Sequence, residues 1–376
     1  MTTNTAARSN ILFVGIELSK KTWRLAFSNG VKIRQRTLPA GDQAGLQQEL
    51  AWSKQKLGLS ADSAVYSCYE TGRDGFWVHR LLSGWGIENV VVDAASIETA
   101  RRGRRAKTDR LDAEKLVRKL MAWVGGEKTV WRVARVPSLE AEAERRPMRE
   151  RQRLVGERSA HRARIASLVA LHGVAAKLNG RQNFAVAVEQ LRDWRGQPLS
   201  PELVAEMQRE LQRLAMVHQQ ILLLDRQQQA ALAAPQTKAQ EVARKLMNLC
   251  GVGPISAGIL AVEFFAWRQF RNRREVGALA GLCGTPYNSG DSDQEQGISK
   301  AGNTRVRWVS TELAWSWLRF QPHSELTQWF GRRFGLGSKR VRRIGIVALT
   351  RKLLIELWKY LEWDELPAGA TLRVAR

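Results

Sequence analysis

Apolar and polar residues alternate in short blocks over the first third of the chain, then fall into long helical stripes. Ile11-Leu12-Phe13-Val14-Gly15-Ile16 is an apolar run of buried-strand length that ends in Glu17. A short continuous run of that kind predicts a strand covered on both faces. Residues 23–27 and 31–37 alternate with period two, and Ser28-Asn29-Gly30 joins them as a hairpin turn. A helix is expected over 42–57. Ala64-Val65-Tyr66-Ser67-Cys68-Tyr69-Glu70 predicts another strand that ends in an acid. A helix over 75–85, a short strand over 89–92 and a helix over 108–123 follow, the last with Thr108 or Asp109 as its N-cap. Strands alternating with helices predict an α/β domain over residues 1–136.

The character changes at Pro137. Residues 138–178 are rich in Arg, Glu and Ala, and in 201–234 Leu203, Val204, Met207, Leu211, Leu214, Val217, Ile221 and Leu224 recur at spacings of three and four. That periodicity predicts long amphipathic helices, a hairpin or coiled coil over 137–238 that serves as scaffold or as a dimerisation arm gripping nucleic acid. In residues 239–376, Gly251-Val252-Gly253 stands between two helical stretches, the second opening at Pro254. The pattern fits a helix-hairpin-helix, whose amides at a helix N-terminus can hold a DNA phosphate, and equally a simple helical hairpin. A short helix over 275–282, a polar loop over 285–297 and helices over 303–320 and 341–363 complete a mainly helical C-terminal domain.

Charge narrows the partners. The 376 residues carry 60 Lys and Arg against 36 Asp and Glu, a net +24 with a pI near 10.8, spread along the whole chain. Such a charge repels itself in the folded state, and a polyanion relieves it. Nucleic acid is the first candidate. An anionic membrane surface is second, but no apolar run reaches the roughly 18 residues of a spanning helix. The polar start has no signal-peptide core, so a cytoplasmic, nucleoid-associated bacterial protein with no membrane partner is expected. Cys68, Cys250 and Cys283 share no CxxC spacing, and the five His form no HExxH pattern, which argues against a disulfide framework or a zinc site. Of the 14 Trp, those in helical segments such as Trp308, Trp315 and Trp317 suit a core, and some suit stacking on unpaired bases.

The candidate chemistry lies in acids. Asp109 and Asp112 are three apart, on one face of the expected helix. A basic run of Arg101, Arg102, Arg104, Arg105 and Lys107 precedes them, and Arg110 lies between them. Glu17 and Glu70 each sit at the carboxyl end of an apolar strand, where an open α/β sheet presents its functional groups. Four acids converging there would raise one another's pKa values unless they hold a cation. Oxygen ligands without His or Cys favour Mg²⁺ or Mn²⁺. The order strand-acid, strand-acid, helix-acid-pair is the layout of the ribonuclease H and RuvC-like nucleotidyl-transfer fold.

The chain also resembles the DEDD-type insertion-sequence transposases, the "one-ten" class of bridge-RNA-guided recombinases. The matching pieces are Gly15-Ile16-Glu17-Leu18-Ser19-Lys20, Glu70-Thr71-Gly72, Lys107-Thr108-Asp109-Arg110-Leu111-Asp112-Ala113 and Gly251-Val252-Gly253. Gly281-Leu282, Ser289-Gly290 and Ile298-Ser299-Lys300-Ala301-Gly302-Asn303, with Arg305 and Arg307, complete the ordered set. One departure is Glu17, where the family usually has Asp. The resemblance implies a serine nucleophile that forms a phosphoserine intermediate with DNA, and its motif maps onto Ser289. From the residues alone Tyr287, Ser292 and Ser299 offer hydroxyls in the same neighbourhood. A serine hydroxyl needs a base or a metal to activate it, and the carboxylate cluster, from this chain or another subunit, is the candidate activator. The resemblance further implies target and donor DNA, a non-coding guide RNA and a homo-oligomer, dimer or tetramer. Lys300, Asn303, Arg305, Arg307, Gly251, Gly253 and the basic run are the candidate nucleic-acid contacts. The alternatives are a RuvC-like junction nuclease that uses water as nucleophile, and a basic nucleic-acid-binding scaffold without catalysis.

Overall fold

The computed structural model describes residues 10–72, 74–96, 109–174, 188–289 and 292–373; at 95, 109–111, 286–289 and 292–296 the backbone alone is described. Two compact units divide the chain, Met1–Val136 and Pro137–Arg376.

The first unit is built on a five-stranded mixed sheet in the order β3-β2-β1-β4-β5. Its strands are β1 (Ile11–Leu18), β2 (Thr22–Ser28), β3 (Ile33–Pro39), β4 (Ala64–Glu70) and β5 (Glu88–Val92). β1 runs antiparallel to β2 and parallel to β4, so it is buried on both sides, as its unbroken apolar run requires. Leu12, Val14 and Ile16 pack with Leu46 and Leu50 of α1 (Gln43–Lys56) and with Val78 and Leu82 of α2 (Trp77–Gly84). Phe13 packs on the opposite face with Cys68, Val90, Val92 and with Ala113, Leu116, Val117 and Leu120 of α3 (Asp109–Val124). The period-two alternation of each strand thus sorts its residues between two helical layers.

The second unit begins with two helices of 33 residues each, α4 (Leu139–Leu171) and α5 (Pro201–Ala233). Both start on a serine: the Ser138 hydroxyl accepts the Ala141 amide, and the Ser200 hydroxyl accepts that of Leu203. They lie antiparallel, with Arg151 paired to Asp225 near one end and His161 to Glu210 farther along. The rest of the unit comprises α6 (Lys238–Met247), α7 (Pro254–Leu260), a wider π-type turn (Ala261–Phe265), α8 (Arg273–Leu279), strands β6 (Gly284–Ser289) and β7 (Ser292–Ile298), α9 (Thr304–Phe320), α10 (Glu325–Phe334) and α11 (Lys339–Trp363). Its core centres on Phe264, Trp317, Leu353 and Leu357. No described helix is long and apolar enough to cross a membrane.

Two expectations are corrected here. The segment expected as a polar loop over 285–297 is an antiparallel hairpin in which Tyr287 pairs with Gln294 and Ser289 with Ser292. Its polar sequence shows no hydrophobic alternation, and the pairing of the two strands lies in the backbone ladder, which no side-chain pattern records. The last segment contains three helices, not two: α10, capped by the Ser324 hydroxyl on the Thr327 amide, is a ten-residue helix whose stripe of Leu326, Trp329, Phe330 and Phe334 packs on the core with only Phe330 fully buried, and its shortness hid it from the periodicity.

Candidate active site

Gly15 organises the acidic residues of the first unit. It shares a face of β1 with Phe13 and Glu17, and α3 lies directly over it. A Cβ there would come within 2.5 Å of the Ala113 carbonyl oxygen and 2.7 Å of the Val117 amide. Only glycine allows so close an approach. The neighbouring Cys68 thiol donates to the Leu116 carbonyl at 3.6 Å, which places Cys68 on the same face. Glu70, two residues further along β4, shares that face. The parallel register sets Ile16 beside Tyr69, so Glu17 and Glu70 end adjacent strands side by side. Both line a cleft of about 180 Å³ together with Leu18, Tyr69, Thr71, Gly72 and Asp74. Burial and the Glu70 charge push the Cys68 thiol far above its ordinary pKa, so it stays protonated beside the carboxylates.

Arg24 is the cross-strand partner of Glu17. It lines a second cleft with Thr37, Ala113 and Glu114, so α3 starts at the Glu17 end of the sheet. Asp112, in the first turn of α3, is half-buried and paired with Lys115 at 3.2 Å. Asp109 opens the helix, and its side chain lies outside the described residues, as do Arg101, Arg102, Arg104, Arg105 and Lys107 altogether. Glu17 and Glu70 are therefore the pair brought together. Among the described residues, no three His, Cys, Asp or Glu side chains close on one metal position. The donor set itself suits a hard cation, being carboxylate only with the nearby thiol protonated. Asp74 and Arg24 escaped the sequence reading. Asp74 belongs to no motif, and Arg24 is placed by register alone.

In the second unit the motif segments form one packed substructure. Gly281 and Gly302 take φ values of +68° and +158°, and a Cβ on Gly302 would meet the Leu279 carbonyl oxygen at 2.5 Å. The Ser299 amide donates to the Cys283 carbonyl at 2.8 Å, Lys300 to Gly281 at 3.1 Å and Asn303 to Leu279 at 2.9 Å. Arg307 fastens both sides, donating to the carbonyls of Ala280 and Lys300 at 3.2 and 3.1 Å. From this base rises the β6–β7 hairpin. Ser289 is the last residue of β6, paired with Ser292, with Gly290 and Asp291 between them in sequence. Its side chain is outside the described residues. Lys300 is exposed and holds a left-handed φ of +55°, a conformation a lysine adopts only when its surroundings impose it.

Asn303 and Arg305 are tied inward. The Asn303 side-chain oxygen accepts the Arg305 and Val306 amides as the N-cap of α9, and its nitrogen donates to Glu263 at 3.1 Å. Arg305 donates to Gln152 of α4 at 2.9 Å. Glu263, 1 % exposed, accepts a two-pronged bond from Arg149 of α4 at 2.6 and 2.9 Å. Burial raises the Glu263 pKa, but the Arg149 hydrogen bonds and charge outweigh it and hold the carboxyl below its usual range. An acid inside Ala261-Val262-Glu263-Phe264-Phe265 was the available signal for this buried partner.

The Gly251-Val252-Gly253 turn lies between α6 and α7. Gly251 has φ +84°, and Val252 is buried. The turn's carbonyls are taken from inside: Ser316 donates to Gly251 at 2.7 Å, and Gln321 to Cys250 at 2.9 Å. Gly253 N-caps α7 without a side chain, and the space beside its Cα is open.

Residues 243–328, which hold this turn, the hairpin and its base, match the model of the transposase IS116/IS110/IS902 family. A Sinorhizobium fredii protein named as a transposase, y4rJ, is 40% identical over 96% of this chain and 94% of its own length. A Pseudomonas aeruginosa protein named as a family 20 transposase is 29% identical over 60% of this chain and 65% of its own. The transposase of insertion sequence element IS1328 from Yersinia enterocolitica is 26% identical over 43% of this chain and 46% of its own.

Proposed function

Because the chain belongs to the IS116/IS110/IS902 family and is a DNA transposase, we propose that it cuts and rejoins DNA through Ser289, with Glu17, Glu70, Asp109 and Asp112 as a RuvC-like metal-binding cluster. The observation that carries the reading is the side-by-side placement of Glu17 and Glu70 at the rim of one cleft, on the face that α3 covers. Two carboxylates at the rim of one cleft are the oxygen donors that a hard divalent cation prefers. Mg²⁺ or Mn²⁺ held there supplies positive charge that eases loss of a hydroxyl proton and stabilises a leaving oxygen.

Ser289 stands at the tip of a hairpin whose base is rigid, a placement that suits a nucleophile offered to a bulky phosphodiester. Its hydroxyl gives up a proton, the Oγ–P bond forms, and the P–O bond to the deoxyribose breaks. The departing oxygen takes a proton and becomes a free hydroxyl. Attack on the phosphoserine by a hydroxyl of another strand reverses these steps and restores serine, so no nucleotide hydrolysis is needed. Lys300 and the basic run of Arg101, Arg102, Arg104, Arg105 and Lys107 would neutralise phosphates of target and donor DNA. Arg307, which also braces the hairpin base, and Arg305, which also bonds Gln152 of α4, would join them. Gly251 and Gly253 would offer backbone amides, and a non-coding guide RNA would select sites for a homo-oligomer.

A suicide substrate with a nick beside the cleavage site tests the mechanism. Wild type should yield a protein–DNA adduct whose DNA maps to the Ser289 peptide, and Ser289→Ala should fold, bind DNA and fail to cleave. Alanine at Glu17, Glu70, Asp109 or Asp112, or addition of EDTA, should abolish recombination, whereas Glu17→Asp should keep part of it. Cleavage by Ser289→Ala at the wild-type rate would overturn the proposal in favour of hydrolysis by water.

A further inference from the structure

The turn between α10 and α11 combines concentrated positive charge with an unsupported apolar tip. Phe334 ends α10, Lys339 begins α11, and Gly335-Leu336-Gly337-Ser338 lies between them. Arg332, Arg333, Lys339, Arg340, Arg342 and Arg343 flank the turn, all exposed, and no Asp or Glu occurs between Glu325 and Glu356. Four of these cations occupy the opening of α11, whose first turn holds no acid. The aligned peptide dipoles already make that end positive, so the arrangement is unfavourable in the protein alone and becomes favourable against a polyanion.

The turn itself is well built. Phe334 packs so tightly on α11 that a Cβ on Gly345 would meet its ring at 2.5 Å. The Trp329 and Phe330 rings stand 5.5 and 5.8 Å from that of Phe334. The Gly337 amide donates to the Phe334 carbonyl at 3.0 Å, and the Ser338 hydroxyl accepts the Val341 amide. From this fixed support Leu336 projects with 106 % of its reference surface exposed, and Ile344 of α11 is also exposed. Within the chain this leucine is left to solvent.

We propose that the α10–α11 turn is a contact for duplex DNA, in which the six cations hold backbone phosphates and Leu336 enters a groove as a wedge between base pairs. Apolar wedges flanked by cations unstack base steps and bend the duplex. The charge selects the partner. A second copy of the same surface would set six cations against six, and an apolar protein groove would leave them unpaired. The inference rests on the chain being a DNA transposase and is independent of which group attacks the phosphate.

The test uses the full-length protein and a short random-sequence duplex carrying donor and acceptor dyes at its two ends, titrated at several KCl concentrations. Wild type should raise energy transfer as the duplex bends. Leu336→Ala should bind but leave the duplex straight, and Leu336→Phe should restore the bend. Arg340→Ala with Arg343→Ala should weaken binding and lower the slope of log affinity against log salt by about two units, near 0.9 for each phosphate no longer neutralised. Unaltered bending in Leu336→Ala, or an unaltered slope in the arginine pair, overturns the proposal. So does a fall in oligomer mass by light scattering in Leu336→Ala with bending retained, which assigns the tip to a subunit interface. A weakening confined to single-stranded RNA of the same length overturns it in favour of RNA.

Discussion

Gly15 shows how much a single position can carry. Its missing Cβ lets α3 lie on the strand that ends in Glu17, and the same helix carries Asp109 and Asp112. Gly15→Ala forces helix and strand apart, an overpacking cost of about 1–3 kcal/mol. The acids on the two elements are then displaced from each other. Urea unfolding should show the drop in stability, and recombination should fall well beyond what the unfolded fraction explains. Gly84→Ala, at a helical position where a Cβ meets nothing within 4 Å, is the control and should leave recombination unchanged with stability equal or slightly raised. Equal effects of the two substitutions would mean that the close approach over Gly15 has no special weight.

Among the elements, the base of the hairpin and the long helix α4 are joined by one buried acid. Glu263 bonds Arg149 of α4 and Asn303, which caps α9. Its carboxyl titrates below the ordinary carboxylate range, so the native state binds this proton less readily than the unfolded chain does. The stabilisation is complete above the unfolded value, near pH 4.3, and is lost as pH falls through the lower native value. Arg149→Met leaves Glu263 buried without its main counter-charge, at a cost of about 3 kcal/mol. In that variant burial dominates and raises the Glu263 pKa. The stability gap to wild type should be widest at neutral pH and narrow as the medium is acidified. A gap independent of pH would show that Arg149 acts through packing alone. Gly281 and Gly302 hold the other side of the base, and their backbone angles explain why that motif is written with glycine.

At the scale of the whole molecule, the two units have separate cores, one on each face of the β1–β5 sheet and one around Trp317 and Phe264. Calorimetry should resolve two unfolding transitions. Gly15→Ala should lower one and Arg149→Met the other, and a single transition shifted by both would refute independent units. The +24 charge spans both units, so DNA affinity should fall steeply with salt in each.

Much was legible in the sequence because burial has a period. The β1 run, the β4 run, the stripes of α4 and α5 and the Gly251-Val252-Gly253 turn each announce themselves within a few residues. The acids at the ends of β1 and β4 could be picked out for the same reason, since a charge that closes an apolar strand is conspicuous. Tertiary structure decided what depends on partners distant in the chain. Register alone sets Glu17 beside Glu70 and Arg24 beside Glu17, and loop geometry brings Asp74 into their cleft. Ser289 stands on a hairpin because two polar segments satisfy each other's backbone, which no hydrophobic pattern records. Asn303 faces Glu263 through a hydrogen bond 40 residues apart in sequence, and Leu336 is exposed only because α10 and α11 turn back against one another. Local spacing encodes which face of an element is buried; it carries no information about which other element comes to cover it.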